Sequence, residues 1–590
     1  MSRRNEAHLA QQLKEYRAPN PVVEPGPLHL HPWIEASVKG WRPHVLILIT
    51  LLLCTLPGFF ALPPLDRDES RFAQATTQMF ETKDFIRIRF QDEPRHKKPV
   101  GIHWLQAVSV SLLDGATHRT IQAFRLPSLF GAFFAAICTF QIGALLYNRW
   151  VGLIGGLALA GSLLMSTEAG IAKTDACLVG FTTLTYLGLA GLRAKPENKR
   201  YIWFFWGGLA MATLIKGPIG LLLILFSGVM LVAWERDLRW VKRAFHWPAI
   251  LLAAVIVLPW YIAIWQATHG QFFMDAVGQD LAPKLSGQSE NKAVPPGAHL
   301  LMSPILLWPT SFLIPLAFWV AWTSNRDPRI RFLLAWLVPG WLMFEAAPAK
   351  LAHYTLPVHG ALVLLGAIGL FMGGWQRPKV RWLGIALLTL GTAVMTSVPY
   401  LLGKDVAMLE THFALLCSVV IGCIGMIGLT MVILRPKWAI VGLVAMACIT
   451  SVTLKGLFVP SISALDLSRR VSAALQREGL HPRLSPGTPG PLIGAGYQEP
   501  SLIFLTRSDS ALSSVAAAVK AARIGSGIVV NTQPQFKAAL TLALAKKGLA
   551  PKWRKDVLAG LNYSKGDPVE LAIGSVVAAP KPMPVPNRQN

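Results

Sequence analysis

The sequence predicts a polytopic all-α membrane domain of about thirteen transmembrane helices, followed by a small C-terminal α/β domain. Three observations carry this prediction. The 590 residues are 53% hydrophobic and only 15% charged, against about 25% charged in soluble domains. Apolar runs of about 20 residues, long enough to cross a hydrocarbon core, recur from Val45 to about residue 457. After residue 458 the pattern changes, and helix-like stretches alternate with strand-like ones.

Taken in order, residues 1–44 form a basic tail expected in the cytoplasm. The first apolar run starts near Val45 behind that tail and reads as an uncleaved anchor. Candidate spans cover 45–63, 121–145, 151–168, 174–192, 201–216, 218–234, 248–266, 299–322, 332–347, 353–374, 382–402, 411–433 and 438–457. The weakest is 332–347, which is short and holds Pro339. Segment 101–113 is too short to span and is expected to lie along the interface. Alternate loops concentrate lysine and arginine, as in Arg193, Lys195, Lys199 and Arg200, then Arg236, Arg239, Lys242 and Arg243. The opposite short loops carry only isolated lysines such as Lys173, Lys216 and Lys350. This bias places the N-terminus in the cytoplasm and, with an odd number of spans, the C-terminal region on the outer side of the membrane. The formal net charge of +25 is therefore a topology signal, and no nucleic-acid role is expected. Cys54, Cys138, Cys177, Cys417, Cys423 and Cys448 all fall in or beside apolar spans without the spacing of a zinc site. Residues 458–579 suggest helices near 465–479, 511–523 and 533–547, with strands near 491–494, 527–530 and 567–577. No catalytic pattern stands out there, and the Pro-rich stretch 580–590 is expected to be disordered.

The first outer loop, 64–120, breaks the charge rule by holding nine basic residues, which alternate with acids. Asp66 reads as a helix N-cap with Glu69 as its capping-box partner. Phe72, Ala75, Thr76, Met79 and Phe80 form an apolar stripe, so Asp68 and Arg71 share a face three residues apart. Lys97 and Lys98 follow, ahead of Pro99. Further charges gather at the same side: Glu168, Lys173 and Asp175; Lys216; and Lys350, His353 and Tyr354. Tyr261 lies in the span that leads to loop 267–298, whose length and glycines suit a lid. Cations in this arrangement hold phosphate, and a carboxylate such as Asp68 accepts a proton from a hydroxyl, with Asp175 in support. Asp66 and Glu69 are candidate ligands for a possible divalent metal ion. No Gly-x-x-x-x-Gly-Lys loop is present, which argues against a nucleotide site. A lipid or glycan transporter is the alternative, although transporters gather polar groups near the bilayer midplane.

These motifs resemble the GT-C superfamily of polyprenyl-phosphate-sugar glycosyltransferases, nearest the lipid A aminoarabinose transferases, with protein O-mannosyltransferases further off. The superfamily's Asp-Glu-x-Arg-Tyr-Ala matches Asp68-Glu69-Ser70-Arg71-Phe72-Ala73, and its Lys-Pro-Pro matches Lys98-Pro99-Val100. Its Arg-x-Asp turn matches Lys173-Thr174-Asp175, and Lys-Gly-Pro and Pro-Trp-Tyr match at Lys216 and Pro259. A Lys-x-x-x-Tyr-x-x-Pro pattern matches Lys350, Tyr354 and Pro357. The resemblance implies inverting transfer of a sugar from undecaprenyl phosphate to lipid A or another envelope acceptor, protein or polysaccharide included, at the periplasmic face of the inner membrane by a monomer. Asp68 and Asp175 would be catalytic; Glu69, Arg71, Lys97, Lys98, Lys173, Lys216, Tyr261, Lys350, His353 and Tyr354 would bind substrate. Lys97 stands where aminoarabinose transferases often carry Glu, and Lys173 replaces Arg. Those departures leave the sugar open among aminoarabinose, galacturonic acid and mannose.

Overall fold

The computed structural model describes residues 35–113, 115–283, 294–404, 411–435, 438–487, 490–564 and 566–580. The N-terminal tail up to residue 34, Lys284 and Lys292 of the expected lid, and residues 581–590 lie outside the described residues.

Among the described residues, eight helices are long and apolar enough to cross a membrane. They are α1 (Arg42–Ala61), α4 (Ile121–Leu146), α7 (Asp175–Ala194), α9 (Pro218–Glu235), α10 (Trp247–Thr268), α15 (Pro378–Leu402), α16 (Thr411–Leu434) and α17 (Ala439–Ser451, extended by a wide π turn, Val452–Phe458). Between them lie α2 (Arg67–Thr82), α3 (Gly101–Leu113), α5 (Arg149–Gly161), α6 (Leu163–Glu168), α8 (Arg200–Lys216), α11 (Ala298–Leu306), α12 (Leu313–Thr323), α13 (Pro328–Ala346) and α14 (Leu356–Phe371). The chain is a multi-pass membrane protein.

Two expected spans are broken. The run 151–168 divides at Ser162, whose extended backbone leaves its hydroxyl to cap Met165 N–H at 3.3 Å. The run 299–322 divides at residues 307–312, where Pro309 supplies no backbone donor. The weak run 332–347 instead forms a longer helix. Asp327 accepts from Arg329 N–H and Pro328 holds the first position, so α13 starts earlier and passes through Pro339.

Helix α7 is the hub, with 89% of its spanning window buried against 17% for α10. The outer face of α10 presents Leu251, Val255, Leu258 and Ile262 as a surface that only lipid suits. The hub is reached through glycine: a Cβ on Gly131 of α4 would lie 2.6 Å from Cys177 Cα of α7, and one on Gly180 2.6 Å from the Gly131 carbonyl oxygen. We expect Gly131→Val to cost about 1–3 kcal/mol by overpacking. It should lower the melting temperature of the purified protein in detergent; an unchanged melt would show that the helices part without penalty. Cys177 is two residues from Asp175, so the strain would also reach the charged end of α7.

The C-terminal region holds a four-stranded sheet in the order β3–β4–β6–β5, of strands Ile493–Ala495, Gly527–Asn531, Asp567–Ala578 and Leu549–Asn562 respectively. The β3–β4 pairing is parallel and the other two are antiparallel. Helices Leu467–Arg477, Pro500–Leu505, Val515–Ala521 and Pro534–Ala545 accompany it. This region rests on loop 64–120, where strands β1 (Arg89–Phe90) and β2 (Glu93–Pro94) form a short hairpin. Arg119 Nη1 donates to Phe504 O at 2.9 Å while its Nη2 pairs with Glu81 at 2.6 Å, and Gln91 Nε2 donates to Ser510 O at 2.6 Å.

Candidate active site

The charged ends of α2, α6, α7, α8 and the turn before α14 meet at one place. Asp66 caps α2, with Oδ1 accepting from the N–H groups of Asp68 and Glu69 at 2.7 and 3.1 Å. Its Oδ2 faces Lys173 Nζ at 3.3 Å, and Lys173 also pairs with Glu168 Oε1 at 3.2 Å. Glu168 Oε1 lies 3.6 Å from His353 Nδ1, and the other ring nitrogen lies 3.6 Å from Asp175 Oδ1. Asp175 closes on Lys216 Nζ at 2.5 Å, and that ammonium lies 5.6 Å from the centre of the Tyr354 ring. A chain of close contacts among ionisable side chains therefore runs Asp66, Lys173, Glu168, His353, Asp175, Lys216, with the His353 imidazole, which burial holds in its neutral form, as the uncharged link between two carboxyls. Local sequence explains the assembly: Asp175 opens α7, where the helix dipole favours an anion, and Lys216 closes α8, where it favours a cation. Burial would lower the Lys173 pKa, but Glu168, Asp66 and Asp175 outweigh it and raise the value, so Lys173 is firmly charged.

Asp68 stands at the rim of this chain, half-exposed. Its Oδ1 lies 3.1 Å from Arg95 Nη2 and 3.5 Å from Arg71 Nη1. Desolvation in the mouth would raise its pKa; Arg95 and then Arg71 reverse that and hold the carboxyl below its ordinary value. Arg95 lies 5.2 Å from the centre of the Phe72 ring. Lys98 is half-buried and precedes Pro99, next to which a Cβ on Gly217 would sit at 3.7 Å. That packing places the Lys98 and Lys216 segments side by side. Lys97 is exposed.

The remaining candidate residues are placed otherwise. Glu69 does not close a capping box; it forms a buried fork with Arg125 of α4 at 2.7 and 3.0 Å and accepts from Ala172 N–H at 2.9 Å. Lys350 donates to the Val294 and Ala347 carbonyls at 2.8 and 2.7 Å, pinning the chain on either side of α11 and α13. The Tyr261 hydroxyl lies 3.5 Å from Thr213 O. In the first part of loop 267–298, Asp275 takes a hydrogen bond from His96 at 2.8 Å, which lowers its pKa, and accepts from Gln271 and Gln279. Among the described residues no three His, Cys, Asp or Glu side chains converge as a metal ion requires, and Asp66 and Glu69 face Lys173 and Arg125 instead.

Sequence reasoning passes over Arg125 and Lys455 and gives Glu168 no individual role, while Arg95, read with Lys97 and Lys98 as a cation that can hold phosphate, pairs with Asp68. Arg125 and Lys455 carried a readable signal: each is a lone charge inside an apolar run, costly unless it has a partner or a function.

Residues 97–265, from Lys97 past Tyr261, match a family described as dolichyl-phosphate-mannose-protein mannosyltransferase. The undecaprenyl phosphate-alpha-4-amino-4-deoxy-L-arabinose arabinosyl transferase of Shewanella sediminis is 28% identical over 322 residues, which is 53% of this chain and 57% of that protein. Its namesake in Pseudomonas paraeruginosa is 26% identical over 394 residues, 64% of this chain and 70% of the relative. The crystal structure of ArnT from Cupriavidus metallidurans bound to undecaprenyl phosphate superposes with a TM-score of 0.66 at 17% identity, covering 90% of this chain and 98% of that one. The chain thus shares the fold of that ArnT.

Proposed function

We propose that this ArnT-like chain is an inverting glycosyltransferase, moving a sugar from undecaprenyl phosphate to lipid A at the periplasmic face of the inner membrane. The observation that carries this is the charge chain from Asp66 to Lys216, with Asp68 half-exposed between two arginines at its rim. A transferase needs cations for a departing phosphate and a carboxylate for an incoming hydroxyl, and this end of the bundle holds both. The names of the relatives support a sugar donor carried on undecaprenyl phosphate.

In this reading the acceptor hydroxyl attacks the sugar's anomeric carbon as the bond from that carbon to the phosphate oxygen breaks. The bonding pair leaves with the phosphate, and Lys98, Arg71 and Lys216 neutralise the charge that grows there. The hydroxyl proton passes to Asp68. Asp175 holds Lys216 in place, while Lys173 and His353 hold the carboxylates around it. The N-terminus is cytoplasmic, the C-terminal region is periplasmic, and the chain acts as a monomer.

Lipid mass spectrometry on cells with and without the gene tests the reading. The expected result is loss of one sugar from lipid A, with its undecaprenyl-phosphate precursor accumulating. Unchanged lipid A and precursor would overturn it in favour of a transporter.

A further inference from the structure

At the Asp66 end of the charge chain lies a cavity of about 310 Å³, far above the ~15 Å³ that one water needs. Its walls come from the last turns of α1, from α6 and the turn after it, and from the π turn at the end of α17. Charged and polar lining is provided by Asp66, Glu69, Arg125, Ser166, Thr55 and Lys455. Two of these charges are matched pairwise, Glu69 by Arg125 within the wall, and Asp66 is matched by Lys173 behind it. Lys455 is not matched. It is 8% exposed, and its ammonium donates to Ser166 O and Oγ at 3.2 and 3.0 Å, while no carboxylate among the described residues pairs with it. An ammonium carries three N–H donors, so one remains for a ligand. Independently, Thr55 is 1% exposed and its hydroxyl has no hydrogen-bond partner among the described residues. A buried cation without a counter-charge and a buried hydroxyl without a partner are both costly unless something fills the space. The π turn that carries Lys455 is a distortion that recurs at functional sites. Phe59, Leu62, Leu65 and Ile171 supply apolar wall beside these polar atoms.

We propose that this cavity is a second anion site, holding the phosphate of a phosphate-headed lipid on Lys455 and Thr55 with the start of its apolar chain against Phe59, Leu62 and Ile171. It lies at the end of the charge chain opposite Lys216 and is separate from the place assigned to the donor phosphate. The inference stands on the cavity alone and survives if the transferase reading fails.

The test uses the full-length protein in phosphatidylcholine nanodiscs, with phosphatidic acid and inorganic phosphate as separate probes and native mass spectrometry as the readout. The wild type should retain one phosphatidic acid, with affinity at least tenfold weaker in Lys455→Met and several-fold weaker in Thr55→Val. Binding of inorganic phosphate with the same dependence on Lys455 would support the anion site with a free ion as its occupant. Equal binding of both probes by the wild type and both variants would overturn the proposal. If Lys455→Met does not fold, Thr55→Val decides alone, since it removes one hydroxyl and keeps the shape.

Discussion

Asp68→Asn lowers sugar transfer about 10²- to 10⁴-fold, the usual contribution of a positioned acid or base, while the melting curve stays where it was. The second half of this expectation follows from exposure: the Asp68 side chain is 52% exposed and fills no core, so removing its charge leaves no cavity. The first half follows from its setting. Arg95 and Arg71 hold the carboxyl below its ordinary value against the desolvation of the mouth, so it is ionised at any pH suited to assay. A carboxylate of depressed pKa is a weak base at rest. It takes the hydroxyl proton only as that proton acidifies in the transition state, and until then it orients the nucleophile by accepting its hydrogen bond. The pH profile follows with a definite sign. The active form is the ionised one, so the rate stays flat from neutrality downward and falls only as pH drops through the lowered carboxyl value, below about 3.9. Loss of rate centred near pH 6 to 7 would assign the base to another group. Asp68→Asn with full transfer would remove Asp68 from the chemistry.

Much of this site was legible in the sequence, and what was missed has a physical cause. Asp66 as an N-cap, α2 with its apolar stripe, and α3 at residues 101–113 are local events that spacing alone specifies. Lys173, Asp175, Lys216, His353 and Tyr354 were legible as a group because charges at one end of a bundle have few places to go. The partners were not legible. Nothing local says that Glu69 turns to Arg125 instead of its own cap, or that Lys350 binds two carbonyls instead of an anion. Those choices depend on which helices pack together. Strand β5 escaped for a different reason: Pro551 and Gly560 weaken the strand pattern, yet both are tolerated because β5 is an edge strand, with a bulge between Trp553 and Val557.

Arg125→Met should have the largest effect on stability, about 3–5 kcal/mol, the cost of leaving one charge of a buried pair alone. Both side chains of the pair are 2% exposed. Arg125 also does more than neutralise Glu69. Its Nη1 donates to the Phe59 and Leu62 carbonyls at 2.7 and 2.9 Å, and its Nη2 to the Pro63 carbonyl at 3.3 Å. Among the described residues no other group donates to those oxygens, because the helix stops there and Pro63 and Pro64 follow. The double variant Glu69→Gln/Arg125→Met should therefore recover only part of the loss, since it removes the stranded carboxylate but not the stranded carbonyls. Arg125→Lys should fall between, keeping the charge and losing the fork. Thermal unfolding in detergent measures all three, and equal melting temperatures for wild type and Arg125→Met would show that the fork contributes nothing. A fall in the melting temperature should bring a fall in transfer, for a geometric reason. Glu69 is the neighbour of Asp68, and the Ala172 N–H it holds is the neighbour of Lys173. One buried carboxylate thus sets the spacing between the rim of the site and its charged floor.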